Sequence, residues 1–108
     1  MLEGIEADLR REEAEESALR TEVTATTSAL IADARRRGVC GQAWLFGSFA
    51  WGRPEPRSDV DVLVEGCADP DALAAELWQA TGRPAHVIER EKAPASLLER
   101  VYQDGKPL

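Results

Sequence analysis

The sequence predicts an α/β (α+β) protein in which a small mixed β-sheet is flanked by helices and preceded by a long N-terminal helix. Three observations predict this fold class. Residues 3 to about 37 contain no proline and carry apolar residues at three-to-four spacing, which favours a helix. Three short apolar runs follow and are typical of strands. Further helical patterns come after the second and third runs, so helices and strands alternate.

The length and charge of the chain limit what it can be. Its 108 residues fit one domain, which we divide into a helical extension (1–38) and a core (39–108). A net charge of −7 disfavours electrostatic binding of nucleic acid over a broad surface. The chain lacks a membrane-spanning apolar run and a signal-like start, so we expect a cytoplasmic protein. Cys40 and Cys67 are expected as reduced thiols in or near the core.

The N-terminal helix has two unlike halves. Its second half carries an apolar stripe and ends in Arg35-Arg36-Arg37, where cations suit the helix dipole, and Gly38 is a natural stop. Threonines in the middle leave room for a bend. The first half is rich in glutamate, which predicts a solvated face. The alternative is an arm that binds a basic partner or a second copy in a homo-oligomer.

Residues 44 to 65 form the stretch around which the chain is organised. A strand ends at Phe46, and Gly47-Ser48 breaks it. One helical turn is expected at 49–51, closed by Gly52, and a proline-containing loop spans 53–57. A second strand is expected at 59–64.

The chemistry of this stretch comes from its carboxylates and its glycine. Strand alternation places Asp59 and Asp61 on one face, where two unpaired carboxylates favour a bound cation. Oxygen ligands alone suit Mg²⁺, which is commonly shared with phosphates. Gly47 lets a phosphate approach the backbone closely, beside Ser48 and the free N–H groups of the following turn.

These residues resemble the signature of the DNA polymerase beta-like nucleotidyltransferase superfamily. Leu45-Phe46-Gly47-Ser48, ten further residues and Ser58-Asp59-Val60-Asp61 fit it, as does Gly52 between them. Over roughly residues 42 to 106 the chain resembles its smallest branch, the MNT-type minimal nucleotidyltransferase domains, which are often antitoxins paired with a HEPN-domain toxin.

The resemblance implies a nucleotidyltransferase fold and an activity. A nucleoside monophosphate, most plausibly AMP from ATP, would pass to a hydroxyl of a HEPN-type toxin. Gly47 and Ser48 would bind the phosphates, and Asp59 and Asp61 would hold Mg²⁺ and be catalytic. Arg53 or Arg57 would neutralise leaving-group charge, although solvation of the loop is an equal alternative for both.

His86 departs from the family pattern, which has a third carboxylate at this position of the third strand. Three interpretations remain open. His86 can replace that carboxylate as the general base, the chain can bind nucleotide with little or no transfer, or the imidazole can have a structural role. A register slip that brings Glu89 to the site is disfavoured, because Glu89 has the opposite strand parity.

The remaining elements complete the alternation. A helix is predicted over 70–81, capped by Asp69 or Asp71 and ended by Gly82, with Trp78 in the core. A third strand is predicted over 85–89 and a last helix over 93–103, and the tail 104–108 is expected as a turn.

Two further classes of function compete with the enzyme. A binding module of this fold would neutralise its partner by docking, and His86 in place of a carboxylate favours it. Docking alone has no need for paired aspartates, which opposes it. A small-molecule nucleotidyltransferase would require an acceptor-binding domain, for which the chain has little room unless a second subunit supplies it.

Overall fold

The computed structural model describes the backbone of residues 2 to 108 and the side chains of residues 10 to 108. Helices and strands alternate along the chain. In order, they are α1 (Leu2–Arg36), β1 (Ala43–Phe46), a 3-10 turn (Gly47–Phe49), β2 (Val60–Val64), α2 (Pro70–Thr81), β3 (Ala85–Glu89), a 3-10 turn (Arg90–Lys92), α3 (Ala95–Asp104) and β4 (Lys106–Pro107).

The four strands form one mixed sheet in the order β3-β2-β1-β4. β1 and β2 are antiparallel, whereas β2 and β3 are parallel and are joined through α2. This arrangement confirms the predicted fold class. The first two strands and β3 lie where the sequence predicts them, within one residue at the start of β2.

Apolar residues on the two faces of the sheet form two cores. The face towards α1 and α2 buries Leu45, Val62 and Leu77 with neighbours from both helices. The opposite face, towards α3, buries a smaller cluster centred on Phe46, Leu63 and Val101. Alternation along β2 therefore places Val62 on the α1 side and Asp61, like Leu63, on the α3 side.

α1 is one continuous helix over Leu2–Arg36. Val23, Ile31 and Ala34 are buried against the sheet, whereas the described residues before Glu16 are exposed. The solvated face predicted for the acidic half agrees with this exposure. Residues 1 to 9 of that half lie outside the described side chains.

α2 begins and ends where the sequence predicts. The side chain of Asp69 accepts a hydrogen bond from the Ala72 N–H, and Gly82 ends the helix at φ 71°. The prediction that Trp78 lies in the core is wrong, because its side chain is 55% exposed. Leu73 and Leu77 centre the buried stripe, and Trp78 lies about 100° away from Leu77 around the helix.

The C-terminal segment forms a strand instead of the predicted turn. Lys106 pairs with Leu45 and Pro107 with Trp44, and the Leu108 N–H donates to the Ala43 carbonyl at 2.9 Å. A two-residue strand that contains proline is too short to show the apolar–polar alternation that predicts a strand. β4 is recognised only by its pairing with the edge of β1.

The two cysteines are free thiols, as predicted. Cys40 is buried and Cys67 is partly buried. Burial raises the pKa of the Cys40 thiol, and the neighbouring Cys67 adds to this effect. Among the described residues, no helix is both long and apolar enough to cross a membrane.

Candidate functional site

Gly47 forms a tight corner at the end of β1. Its φ is +75°, a conformation that side chains rarely adopt. A Cβ at this position would lie 2.5 Å from Asp61 Oδ2. The pairing of Phe46 with Asp61 across β1 and β2 brings the carboxylate to the corner. Gly47 is therefore needed both for the turn and for the close approach of Asp61.

The turn after Gly47 closes on a single carbonyl. The N–H groups of Ala50, Trp51 and Gly52 all point to the Gly47 oxygen, at 3.0, 3.0 and 3.3 Å. The predicted helical turn is thus present, as a 3-10 turn that starts two residues earlier than expected. The N–H groups of Ser48 and Phe49, which precede these bonded groups, have no acceptor within the turn and suit an anion.

Asp59 and Asp61 lie at the start of β2 with the parity that the sequence predicts. Asp61 is half-buried, and burial raises its pKa. His86 opposes this shift, and the negative charge of Asp59 adds to it. A carboxylate whose pKa is raised by burial and by a neighbouring carboxylate fits a divalent cation bound between the two.

His86 lies beside these carboxylates. It pairs with Asp61 in the parallel register of β2 and β3, and its Nε2 is 3.0 Å from Asp59 Oδ2. The imidazole is 57% exposed and the Asp59 side chain 43%. Because an ionised carboxylate only accepts hydrogen bonds, Nε2 carries the proton in the neutral ring, and Nδ1 is the free acceptor.

The donor set fits Mg²⁺ as a shared site. Across residues 10 to 108, no group of three His, Cys, Asp or Glu side chains is arranged to hold a metal ion. Mg²⁺ usually keeps several waters and binds one or two carboxylates together with substrate phosphates. Asp59 and Asp61 would supply those two carboxylates, and the turn at Gly47 is adjacent.

The two loop arginines do not meet the carboxylates. Arg53 Nη2 contacts Glu16 Oε1 on α1 at 3.1 Å, so its charge is directed towards the N-terminal helix. Arg57 is exposed, and the described side chains offer it no ion pair. Their predicted role in neutralising leaving-group charge stays a prediction.

Arg83 braces the site and was missed by the sequence analysis. Its Nη1 donates to the carbonyls of Pro56 at 2.8 Å and Ser58 at 3.1 Å, on the loop that leads into Asp59. Its guanidinium also lies 5.4 Å from the centre of the Phe49 ring, in the turn after Gly47. One side chain thus joins the turn after Gly47 to the loop that leads into the carboxylates. Its position just before β3, beside the start of β2, was the available signal.

An aromatic wall follows the corner on the α3 side of the sheet. The ring centres of Phe46 and Trp51 are 6.1 Å apart, and Arg100 lies 4.6 Å above Trp51. Phe46 is the cross-strand partner of Asp61, so this wall and the carboxylates share one face. The site is thus bounded by an apolar surface on one side.

Comparison with known proteins places the chain among related sequences and folds. The family model described as "nucleotidyltransferase domain" matches residues 29–108. No curated protein matches the chain in sequence.

Three solved structures illustrate the fold. A toxin–antitoxin structure with AMP-PNP is 25% identical, with a TM-score of 0.60, and the match covers 73% of this chain and 69% of the other. The toxin–antitoxin MntA-HepT is 22% identical at a TM-score of 0.55, covering 78% and 69%. A tri-AMPylated Shewanella oneidensis HEPN toxin in complex with MNT antitoxin is 23% identical at 0.57, covering 79% and 70%.

Proposed function

Since the chain belongs to the nucleotidyltransferase domain family, we propose that it is a Mg²⁺-dependent protein adenylyltransferase. It would transfer AMP from ATP to a hydroxyl of a HEPN-type toxin and act as that toxin's antitoxin. The observation that carries the proposal is the contact of Gly47 with Asp61, which joins a phosphate corner to a pair of carboxylates.

The transfer can be assigned to the chain's own residues. The Gly47-Ser48 corner would bind the β- and γ-phosphates through backbone N–H groups. Asp59 and Asp61 would hold Mg²⁺, which when bound offsets the charge that develops on the phosphates. The acceptor oxygen would form a bond to the α-phosphorus, and the bond to the bridging oxygen would break, releasing pyrophosphate.

His86 would receive the proton of the acceptor hydroxyl. Asp59 Oδ2 lies 3.0 Å from His86 Nε2 and accepts its hydrogen bond, which orients the ring. Nδ1 is then the atom that can accept a proton. An oriented histidine next to a carboxylate is a common arrangement for a general base near neutral pH. In this proposal His86 takes over what the resemblance assigns to a third carboxylate.

The structural neighbours support the identity of the substrates. One of those toxin–antitoxin structures contains AMP-PNP, and another contains a HEPN toxin that carries AMP. These facts concern those proteins. They favour ATP as the donor and a HEPN-type protein as the acceptor for a chain of the same fold.

A second candidate is a binding module with the same fold, which neutralises its partner by docking. The specific observation in its favour is the hydrogen bond of His86 to Asp59, because it engages an oxygen that a metal would need. The binding module predicts neutralisation without any covalent change in the partner.

Intact mass measurement separates the two. The full chain is incubated with ATP, Mg²⁺ and a HEPN-type toxin, and the toxin is then weighed. The adenylyltransferase adds the mass of AMP to the toxin, and Asp59→Asn with Asp61→Asn abolishes the addition. Neutralisation of the toxin by that double variant, with no added mass in either sample, would instead establish docking.

A further inference from the structure

A cavity lined by charged and hydroxyl side chains lies between α1 and β4, with a volume of about 360 Å³. We call it the basic pocket. Its lining residues are Arg20, Thr21, Thr24, Ala25, Ser28 and Lys106. Lys106 pairs with Leu45, which faces α1, whereas Asp61 pairs with Phe46, which faces α3. The basic pocket therefore opens on the opposite face of the sheet from the carboxylates.

Two cationic side chains, Arg20 and Lys106, line this pocket, and its lining includes no carboxylate. Arg20 Nη2 donates to the Gly52 carbonyl at 2.8 Å, but its Nε is buried and has no hydrogen-bond partner. Burial lowers the pKa of Lys106, and the positive charge of Arg20 lowers it further. Neither side chain forms an ion pair within residues 10 to 108. Two like charges that are partly removed from water destabilise each other unless an anion joins them.

Six other cations of this acidic chain form ion pairs with carboxylates, whereas Arg57 and Arg83, like Arg20 and Lys106, form none within the described side chains. The ion pairs within the described side chains include Arg37–Asp33, Arg53–Glu16, Arg90–Glu65, Lys92–Glu89 and Arg100–Asp104. The chain has 20 acidic residues for 13 basic ones, so carboxylates are plentiful. Arg20 and Lys106 are two unmatched cations that line the same pocket, which favours an anion from outside the chain.

Hydroxyl groups of α1 complete the lining. Thr24 lies one turn after Arg20, and Ser28 one turn after Thr24, so the three share one face of the helix. Thr24 Oγ1 is buried without a partner. A buried hydroxyl and a buried N–H that both lack partners are costly, since each loses its bonds to water. Both belong to side chains that line the same cavity.

From this arrangement we propose that the basic pocket binds a phosphoryl group. Arg20 and three hydroxyl side chains would donate hydrogen bonds from α1, and Lys106 would donate from β4 on the other side of the pocket. A phosphate presents several oxygens in different directions and can accept from both sides at once, whereas a carboxylate presents two in one plane. Free phosphate, pyrophosphate and the phosphates of a nucleotide share this chemistry. The proposal is independent of Asp59 and Asp61.

Titration calorimetry on the full chain tests the proposal, with inorganic phosphate and pyrophosphate as separate probes at constant ionic strength. Saturable binding is expected, and Lys106→Gln should weaken it roughly tenfold by removing a charged donor. Lys92→Gln is the matched control, because it removes the same charge from an exposed side chain paired with Glu89. Equal weakening in both variants, or no saturable binding of either probe, would overturn the proposal.

Thr24→Val separates a lost ligand contact from a lost fold. Valine keeps the shape of threonine and removes a buried, unpartnered hydroxyl, so the free protein should be as stable as the wild type or more so. Phosphate binding should nevertheless weaken severalfold. Thr27→Val is its control, since Thr27 Oγ1 is also buried without a partner but lies outside the pocket. Unchanged phosphate affinity in Thr24→Val would contradict the proposal.

The source of the phosphoryl group is distinguished with the variant Asp59→Asn, Asp61→Asn. Phosphate or pyrophosphate should bind this variant as tightly as the wild type, because the basic pocket is on the other face. The tighter of the two probes identifies the preferred form, and ATP that binds this variant more tightly than either identifies a nucleotide. Loss of all three in the variant would assign the anion to the Gly47 corner and refute a separate pocket.

Discussion

Two clusters of like charge lie at the same end of the sheet, on opposite faces. Asp59 and Asp61 form the acidic one, and burial raises the pKa of Asp61. Arg20 and Lys106 form the basic one, and burial lowers the pKa of Lys106. In each cluster the charged form of one group, Asp61 or Lys106, is disfavoured, which fits a ligand of opposite charge. The difference lies in construction, because the acidic cluster comes from one short motif and the basic one joins residues far apart in sequence.

Paired replacement of the carboxylates should have the largest effect. Asp59→Asn with Asp61→Asn should lower the rate of AMP transfer by at least about 100-fold, since no carboxylate remains to hold Mg²⁺. The rate is measured with labelled ATP and a HEPN-type toxin. Lys106→Gln, from the basic cluster, is the control and should keep the rate of transfer. An equal loss of transfer in both variants would mean that the two clusters do not have distinct roles.

His86 is expected to have the next largest effect. His86→Ala should lower transfer by roughly 100-fold while nucleotide affinity is retained, because the proton acceptor is lost and the phosphate corner is not. His86→Asp should keep or raise the rate, as it restores the carboxylate of the family pattern. A rate per folded molecule that is unaltered in His86→Ala would assign a structural role to the imidazole.

Gly47→Ala tests the close approach of the Asp61 carboxylate to the turn at Gly47. A Cβ at this position combines an unfavourable φ with a clash against Asp61, so we expect a loss of stability of about 1 to 3 kcal/mol. Gly82→Ala is the matched control, since its φ is +71° but open space surrounds the added Cβ. Equal urea midpoints for the two variants would mean that the Asp61 carboxylate does not clash with a Cβ at position 47.

The acidic cluster should also be visible in the pH dependence of stability. The folded state of Asp61 binds a proton more tightly than the unfolded state, because burial raises its pKa. This contribution favours folding at low pH and is lost as the pH rises through the raised pKa. Asp61→Asn should therefore stabilise the free protein at neutral pH, by about 1 kcal/mol or less for a half-exposed group. The gain should shrink as the pH falls.

Urea unfolding over a pH series measures that gain. Glu91→Gln is the control for loss of one negative charge, because Glu91 is exposed in the turn after β3. Addition of Mg²⁺ should raise the stability of the wild type more than that of Asp61→Asn. A destabilised Asp61→Asn at neutral pH would mean that the carboxylate is already satisfied without a cation.

The acidic first half of α1 is expected to matter least to the fold. Deletion of residues 1–16 should leave a cooperatively folding protein, because the described residues before Glu16 are exposed and Glu16 contributes one surface ion pair to Arg53. Association with a partner or a second copy should be lost, as measured by analytical ultracentrifugation. A truncated chain that fails to unfold cooperatively would place this segment in the core.

The contrast between the clusters also explains what the sequence could predict. Asp59 and Asp61 are two residues apart, and Asp69 and Gly82 mark the ends of α2, so local chemistry suffices for them. Arg83, β4 and the basic pocket depend on long-range pairing that no local pattern encodes. Trp78 was misplaced because an apolar side chain at the edge of a helical stripe can lie on either side of it.

Titration calorimetry of ATP, with and without Mg²⁺, shows whether the Gly47 turn and the two aspartates form one binding site. The wild type is expected to bind ATP much more tightly with Mg²⁺ than without it. In Asp59→Asn, Asp61→Asn that dependence on Mg²⁺ should vanish while the variant unfolds as cooperatively as the wild type. An ATP affinity that is the same in both proteins would contradict the assignment of Gly47, Ser48, Asp59 and Asp61 as one nucleotide and metal site.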